Sequence, residues 1–167
     1  QPGVGPVFRA LVFRAAQAPT RNRGPNHLTA LTMMARRQAG SAFKPVVYAA
    51  ALSPQSGPLA TLATRLDDAP LQIQTPAGLW EPVNYDKKFR GPVTVREALE
   101  RSLNVPAARL GQWVGVSQIV EMARRLGIES ELPAVPSLAL GTAEVSPLEL
   151  AVVYSTFANA GLRPTPR

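Results

Sequence analysis

Arg36-Arg37-Gln38-Ala39-Gly40-Ser41-Ala42-Phe43-Lys44-Pro45 runs straight into the apolar segment Val46-Val47-Tyr48-Ala49-Ala50-Ala51-Leu52. Ser41 and Lys44 stand three residues apart, a spacing that on a helix sets a hydroxyl beside an amine on one face. Pro45 says where that helix begins. A proline in a helix interior loses a hydrogen bond and crowds the carbonyl four residues back, a penalty that nearly vanishes in the first turn. The helix is therefore expected to start close to Ser41, with the positive end of its dipole at the hydroxyl. A hydroxyl there can serve as a nucleophile if a partly desolvated lysine of lowered pKa takes its proton. It can equally be no more than a helix cap, because Ser-x-x-Lys is frequent by chance. The apolar run over residues 43–52 predicts a helix buried on most sides, ended by Ser53-Pro54-Gln55-Ser56-Gly57-Pro58.

Helix signals strengthen toward the C-terminus. Thr94-Val95-Arg96-Glu97 is a capping box opening a helix with Val95, Ala98 and Leu99 on one side. Pro106 fits the first position of the next helix, so the first runs only to about Ser102. Ser102-Leu103-Asn104 then forms a tight junction that offers a hydroxyl and an amide from one structured loop. That chemistry suits a proton relay plus a hydrogen-bonding group for an amide substrate; it also reads as a C-cap asparagine with a bystander serine. Ser117 is expected to cap a helix carrying Ile119, Val120, Met122, Ala123 and Leu126, closed by Gly127 and flanked by Arg124 and Arg125. Ser146-Pro147-Leu148-Glu149 is a second capping box, opening a helix to residue 159 or 160 with Gly161 as the stop. Between the first and second helices, residues 59–91 are polar and punctuated by proline. Leu71, Ile73 and Thr75 alternate with glutamines, which predicts a short strand, and Trp80, Tyr85 and Phe89 are expected to anchor this loop to the body. Upstream, residues 7–13 suit a strand, residues 19–25 hold turn residues, and residues 26–37 either begin a helix or lead into Ser41.

With 167 residues and 46% apolar content the chain is one domain long and can bury a core, while 17 prolines imply long irregular connections. The formal charge is +7, and fifteen of the 18 basic residues are arginine. They are scattered, with no aromatic-rich basic run, which argues against nucleic acid as a partner. No cysteine is present, and a single histidine, His27, expected in a loop, cannot form a metal site by itself. Neither metal nor cofactor is implied. The longest uncharged apolar stretch, residues 45–52, is too short to span a bilayer, and no signal-peptide pattern opens the chain.

The motifs jointly resemble one family. Ser-x-x-Lys followed by Ser-x-Asn is the signature of penicillin-binding proteins and related β-lactamases. Residues 36–45 are similar to the nucleophile segment of the class A, bifunctional penicillin-binding proteins. Asn84-Tyr85-Asp86 and Gly91-Pro92-Val93-Thr94-Val95-Arg96-Glu97-Ala98-Leu99 resemble the lead-in to that family's second motif, and Ser102-Leu103-Asn104-Val105-Pro106-Ala107 the motif itself. Ala139-Leu140-Gly141-Thr142-Ala143-Glu144-Val145-Ser146-Pro147-Leu148-Glu149-Leu150-Ala151 resembles the stretch between its second and third motifs. The resemblance covers roughly residues 35–167.

It implies an α/β (α+β) fold of the penicillin-binding protein/β-lactamase type and a serine-type D-Ala-D-Ala transpeptidase. Ser41 would attack the penultimate D-alanine of a peptidoglycan stem peptide, with Lys44 as general base. Ser102 would relay the proton to the leaving amine, Asn104 would hold the substrate's backbone amide, and the Ser41 N–H would be one oxyanion donor. β-Lactams would acylate the same serine. The implied location is the outer face of the cytoplasmic membrane, or periplasm, with membrane association through parts outside this chain. Lys-Thr-Gly, the third motif, is absent, since the only lysines are Lys44, Lys87 and Lys88. The expectation is a partial transpeptidase domain over residues 35–167, mostly its helical part with the C-terminal sheet strands missing, behind an unassigned segment 1–34. Apolar surface that the sheet would cover should then be exposed, and efficient turnover by the segment alone is not expected. Alternatives are a non-catalytic scaffold of the same fold and a β-lactamase or β-lactam sensor. Glu144 and Glu149 are the acids a β-lactamase would call on, but each is better read as structural, Glu149 as the capping-box partner.

Overall fold

The computed structural model describes residues 35–54 and 60–165. Its centre is α1, Lys44–Leu52, reached through a single 3-10 turn at Gly40–Phe43. Pro45 sits in the first turn, as its missing N–H requires. Val46, Val47, Tyr48, Ala50 and Ala51 are all buried, so the apolar run does produce a helix enclosed on most sides. It packs between α3, Asn104–Val114, and α4, Val116–Leu126, while α2, Val95–Glu100, closes a further side. In α4 Ile119, Ala123 and Leu126 recur at helical spacing and form its buried stripe. Gly127 ends it in the left-handed conformation, and Ile128 follows into the core.

The strands are short. Among the described residues they form three two-stranded antiparallel sheets. β2, Arg65–Asp68, pairs with β5, Gly91–Thr94, in the register Arg65↔Thr94 to Asp68↔Gly91. β3, Ile73–Thr75, and β4, Gly78–Trp80, form a hairpin that includes the strand predicted from the alternating glutamines. β1, Arg37–Gln38, pairs with β6, Glu144–Val145, joining segments more than a hundred residues apart. The last helix, α5, Pro147–Ala158, opens with the expected capping box: Ser146 Oγ accepts from Glu149 N, and a Glu149 carboxylate oxygen accepts from Ser146 N at 2.7 Å.

Several local expectations need correction. Tyr85 is fully exposed and Phe89 is 43% exposed, so neither anchors the 82–90 loop. That loop is held by polar groups, chiefly Asn84 and Arg90 on the buried Asp68. Ser117 does not cap α4. Gly115 alone links α3 to α4, and Ser117 is already the second helical residue. Pro106 is the third rather than the first residue of α3, still within the turn that needs no internal donors. Of the Thr94 box only the half in which Thr94 Oγ1 accepts from Glu97 N is formed, and the Glu97 carboxylate pairs with Arg101 instead. The readings for residues 7–13, 19–25 and His27 lie outside the described residues.

Candidate active site

Lys44 is the first residue of α1 and points inward, with 1% of its surface exposed. Burial lowers the pKa of its amine from 10.5 to about 8, because a charged group loses hydration there. Three oxygens accept from Nζ: Ser102 O at 2.5 Å, Asn104 Oδ1 at 2.7 Å and Ser102 Oγ at 3.1 Å. None carries a formal charge, so no counter-ion opposes the desolvation.

The loop supplying them is folded by local rules. α2 ends with Ser102 N donating to Leu99 O and Leu103 N to Ala98 O. To make that reversal Ser102 takes a left-handed backbone conformation, φ 53°, unusual for a residue with a Cβ. The bend aims both the carbonyl and the hydroxyl of Ser102 at one amine. Of the three acceptors only the Ser102 hydroxyl carries a proton. Once Lys44 is neutral, that hydroxyl alone can reverse its role and donate to the nitrogen lone pair.

Ser41 lies one turn before Lys44 on the 3-10 segment and is exposed. Its hydroxyl makes no hydrogen bond with any described residue. Lys44, Ser102 and Asn104 thus touch directly, while Ser41 is joined to them only through the turn that leads into Lys44. Its backbone is nevertheless tightly held. Gly40 N donates to Gly141 O at 2.8 Å, and Ala39 N to Ala143 O at 3.0 Å, extending the β1–β6 pairing up to the turn that carries Ser41. Gly141, φ 76°, lies so close that a Cβ there would fall on the Gly40 carbonyl. From α5, the Tyr154 hydroxyl donates to Ala42 O at 3.0 Å.

Beneath the site runs a second set of contacts. Asn104 Nδ2 donates to Val83 O at 2.8 Å, and Asn104 N donates to Asn84 Oδ1 at 2.8 Å. Asp68, Asn84, Gly141 and Tyr154 carried no assigned role in the sequence reading. Asn84 and Gly141 lie in segments that carried the resemblance, but their partners are distant in sequence, and no local pattern marks them. Glu149 is fully engaged: besides its cap, it accepts from Glu129 N, Ser130 N and Ser130 Oγ. Among the described residues no group of three or more His, Cys, Asp or Glu side chains is placed to hold a metal ion.

Known proteins share this arrangement of chain. Penicillin-binding protein 1A of Neisseria gonorrhoeae is 44% identical over 135 residues, covering 78% of this chain and 16% of that protein. Penicillin-binding protein 1B of Haemophilus influenzae is 38% identical over 134 residues, covering 78% of this chain and 17% of its own length. The chain therefore spans about a sixth of the length of the curated relatives it matches. The crystal structure of penicillin-binding protein 1A from Haemophilus influenzae superposes with a TM-score of 0.75 at 36% identity, over 81% of this chain and 20% of that one. Penicillin-binding protein A from M. tuberculosis, in its penicillin G acyl-enzyme complex, gives 0.70 at 25% identity over 96% of this chain and 40% of its own. The family described as penicillin binding protein transpeptidase domain matches residues 9–167. With the helical frame around α1 and the strands that flank it, this chain belongs to the penicillin-binding protein transpeptidase family.

Proposed function

We propose that residues 35–167 carry the acylating half of a peptidoglycan D,D-transpeptidase site, within a protein that works at the outer face of the cytoplasmic membrane. The observation that carries this is the buried amine of Lys44, of lowered pKa and surrounded by neutral acceptors, one turn from an exposed serine. Ser41 Oγ attacks the carbonyl of the penultimate D-alanine while its proton passes to neutral Lys44. The tetrahedral intermediate expels the terminal D-alanine, whose nitrogen takes up the proton through Ser102. An ester on Ser41 remains. An amine of a neighbouring stem then attacks that ester, forming the cross-link and returning the proton to the site. Asn104 supports the bound peptide through an amide hydrogen bond. A β-lactam enters by the same first step, its ring C–N bond opening in place of the peptide bond.

A β-lactamase reading finds less support, since both oxygens of Glu149 are occupied and Glu144 sits exposed on β6 opposite Gln38. The experiment is labelling with a fluorescent penicillin, followed by peptide mapping, on the longest polypeptide encoded by the reading frame carrying these residues. An adduct on Ser41 that Ser41→Ala abolishes is the expected result. No adduct on the wild-type protein would leave the scaffold reading in its place.

A further inference from the structure

Two buried polar residues take no part in that scheme, yet their hydrogen bonds tie the 82–90 loop to the start of α3. Asp68, at the end of β2, is wholly buried, and Asn84 is 2% exposed. Asn84 Nδ2 donates to Asp68 Oδ1 at 2.7 Å and to Lys88 O at 2.8 Å. Both donors of that amide are therefore spent on acceptors, which forces its oxygen to the opposite side. There Asn84 Oδ1 accepts from Asn104 N at 2.8 Å and Val105 N at 3.2 Å. These are the first two donors of α3, which have no partner inside the helix, and Leu103 at the cap position has no side chain to offer them. Asn84 caps α3 from twenty residues away.

The same logic repeats one step on. Asn104 Nδ2 is committed to Val83 O, next to Asn84 in the chain, so Asn104 Oδ1 faces Lys44 Nζ. Reversing either amide would set a carbonyl oxygen against an oxygen: Asn84 against the Asp68 carboxylate, or Asn104 against Val83. Asp68 is held in turn by Arg90, whose backbone N–H donates to Oδ2 at 3.1 Å and whose guanidinium lies 3.7 Å away.

We infer that Asp68 and Asn84 are positioning residues: Asp68 orients the Asn84 amide, whose oxygen caps the start of α3 and so holds the second motif in register for acylation. The inference rests on the function proposed above. Its consequence differs from that of a merely structural network. A structural defect lowers the fraction of molecules that fold and label, while those that fold react at the ordinary rate. A positioning defect leaves the labelled end point intact and slows the reaction of every molecule.

The test measures both quantities with a fluorescent penicillin on the longest encoded polypeptide. Asp68→Asn, isosteric but able to present an N–H to Asn84, and Asn84→Ala, which removes the cap, are compared with Leu66→Ala, a packing change on the same strand. For Asp68→Asn and Asn84→Ala the acylation rate constant should fall about tenfold to a hundredfold, with the end point per folded molecule unchanged. Leu66→Ala should lower thermal stability without changing the rate constant of the folded fraction. Should Asn84→Ala fail to fold, Asp68→Asn decides alone. Wild-type rate constants in the folded variants would overturn the positioning role while leaving the proposed function standing. A wild-type protein that does not label would overturn both.

Discussion

Gly141→Ala isolates the contact that holds the turn carrying Ser41. Three costs combine. The backbone there has φ 76°, where a Cβ costs about 1–2 kcal/mol. The new methyl would lie on the Gly40 carbonyl oxygen and 2.7 Å from the Gly40 carbon and nitrogen, atoms of backbone that cannot swing aside. Relieving the overlap requires the two segments to part by on the order of 1 Å. That separation breaks the Gly40 N to Gly141 O bond and strains the Ala39 N to Ala143 O bond, each worth about 0.5–1.5 kcal/mol net. Against these stands the lower entropy of an unfolded alanine, about 0.4–1 kcal/mol in the opposite direction. The expected net loss is about 2–3 kcal/mol, or roughly 5–10 °C in Tm for a domain of this size. Because Ser41 follows Gly40 directly, a shift of that size should also slow acylation on the order of a hundredfold.

Thermal melting and fluorescent-penicillin kinetics on the same preparations measure the two effects. Gly161→Ala is the control: its φ is 92°, but a Cβ there meets nothing within 4 Å. It carries the strain term alone and should leave the acylation rate unchanged. If Gly141→Ala acylates at the wild-type rate, or if the two variants behave alike, the β1–β6 pairing does not position Ser41 and the reasoning fails.

Four other outcomes are expected. With Lys44 as base and its pKa lowered to about 8, the acylation rate should fall about tenfold per pH unit below that value and level off above it; a rise continuing toward 10.5 would remove Lys44 from the role. Asn104→Asp should move that midpoint upward, because a carboxylate against Nζ favours the charged amine; an unmoved midpoint would mean the contact does not govern the protonation of Lys44. For Glu149, burial alone would raise the pKa, but bonds from the Ser130 hydroxyl and the backbone of Ser146, Ser130 and Glu129 outweigh it and hold the carboxyl at about 2. A depressed carboxyl stabilises the fold above its unfolded value near 4.5, so acid melts should show that contribution lost between about 4.5 and 2, and Glu149→Ala should abolish this component. Tyr48 is 1% exposed and its hydroxyl has no hydrogen-bond partner among the described residues, so Tyr48→Phe should leave stability unchanged or raise it by about 1 kcal/mol in a denaturant titration, and a clear loss would refute this.

What the sequence discloses of this fold is what neighbouring residues decide among themselves. Pro45 locates the start of α1, Ser146 and Glu149 the start of α5, and Gly127 the end of α4, because caps and proline sterics act within four residues. Ser41, Lys44, Ser102 and Asn104 are legible as motifs, yet the contact between Lys44 and Ser102 spans 58 positions and exists only once α1 and α3 pack. Pro106 shows how a local rule shifts under a distant partner. Capped by Asn84 from another segment, α3 starts at Asn104, two residues before the proline that was expected to open it. Tyr85 shows the opposite failure. An aromatic in a long loop suggests an apolar anchor, but here the buried amide of Asn84 and the carboxylate of Asp68 do the holding and leave the ring in solvent.

The placement of Asp68 answers a requirement of the proposed chemistry. Orienting a buried amide calls for a group whose preference cannot be reversed, and a carboxylate, which only accepts, is the strongest such reference. Set directly against Lys44, the same carboxylate would stabilise the ammonium and raise its pKa, leaving no base near neutral pH. Asp68 is the one buried acid among the described residues, and through Asn84 it reaches Asn104 only at the backbone N–H, while Val83 O orients the Asn104 side chain. What is passed toward Lys44 is therefore position rather than charge, and the Asp68 carboxyl group stays on the far side of Asn84, beside Arg90. Lys44 is left with neutral oxygens and a lowered pKa. A site that needs both a fixed geometry and an uncharged amine gains from keeping the carboxyl group that fixes the geometry out of contact with the amine.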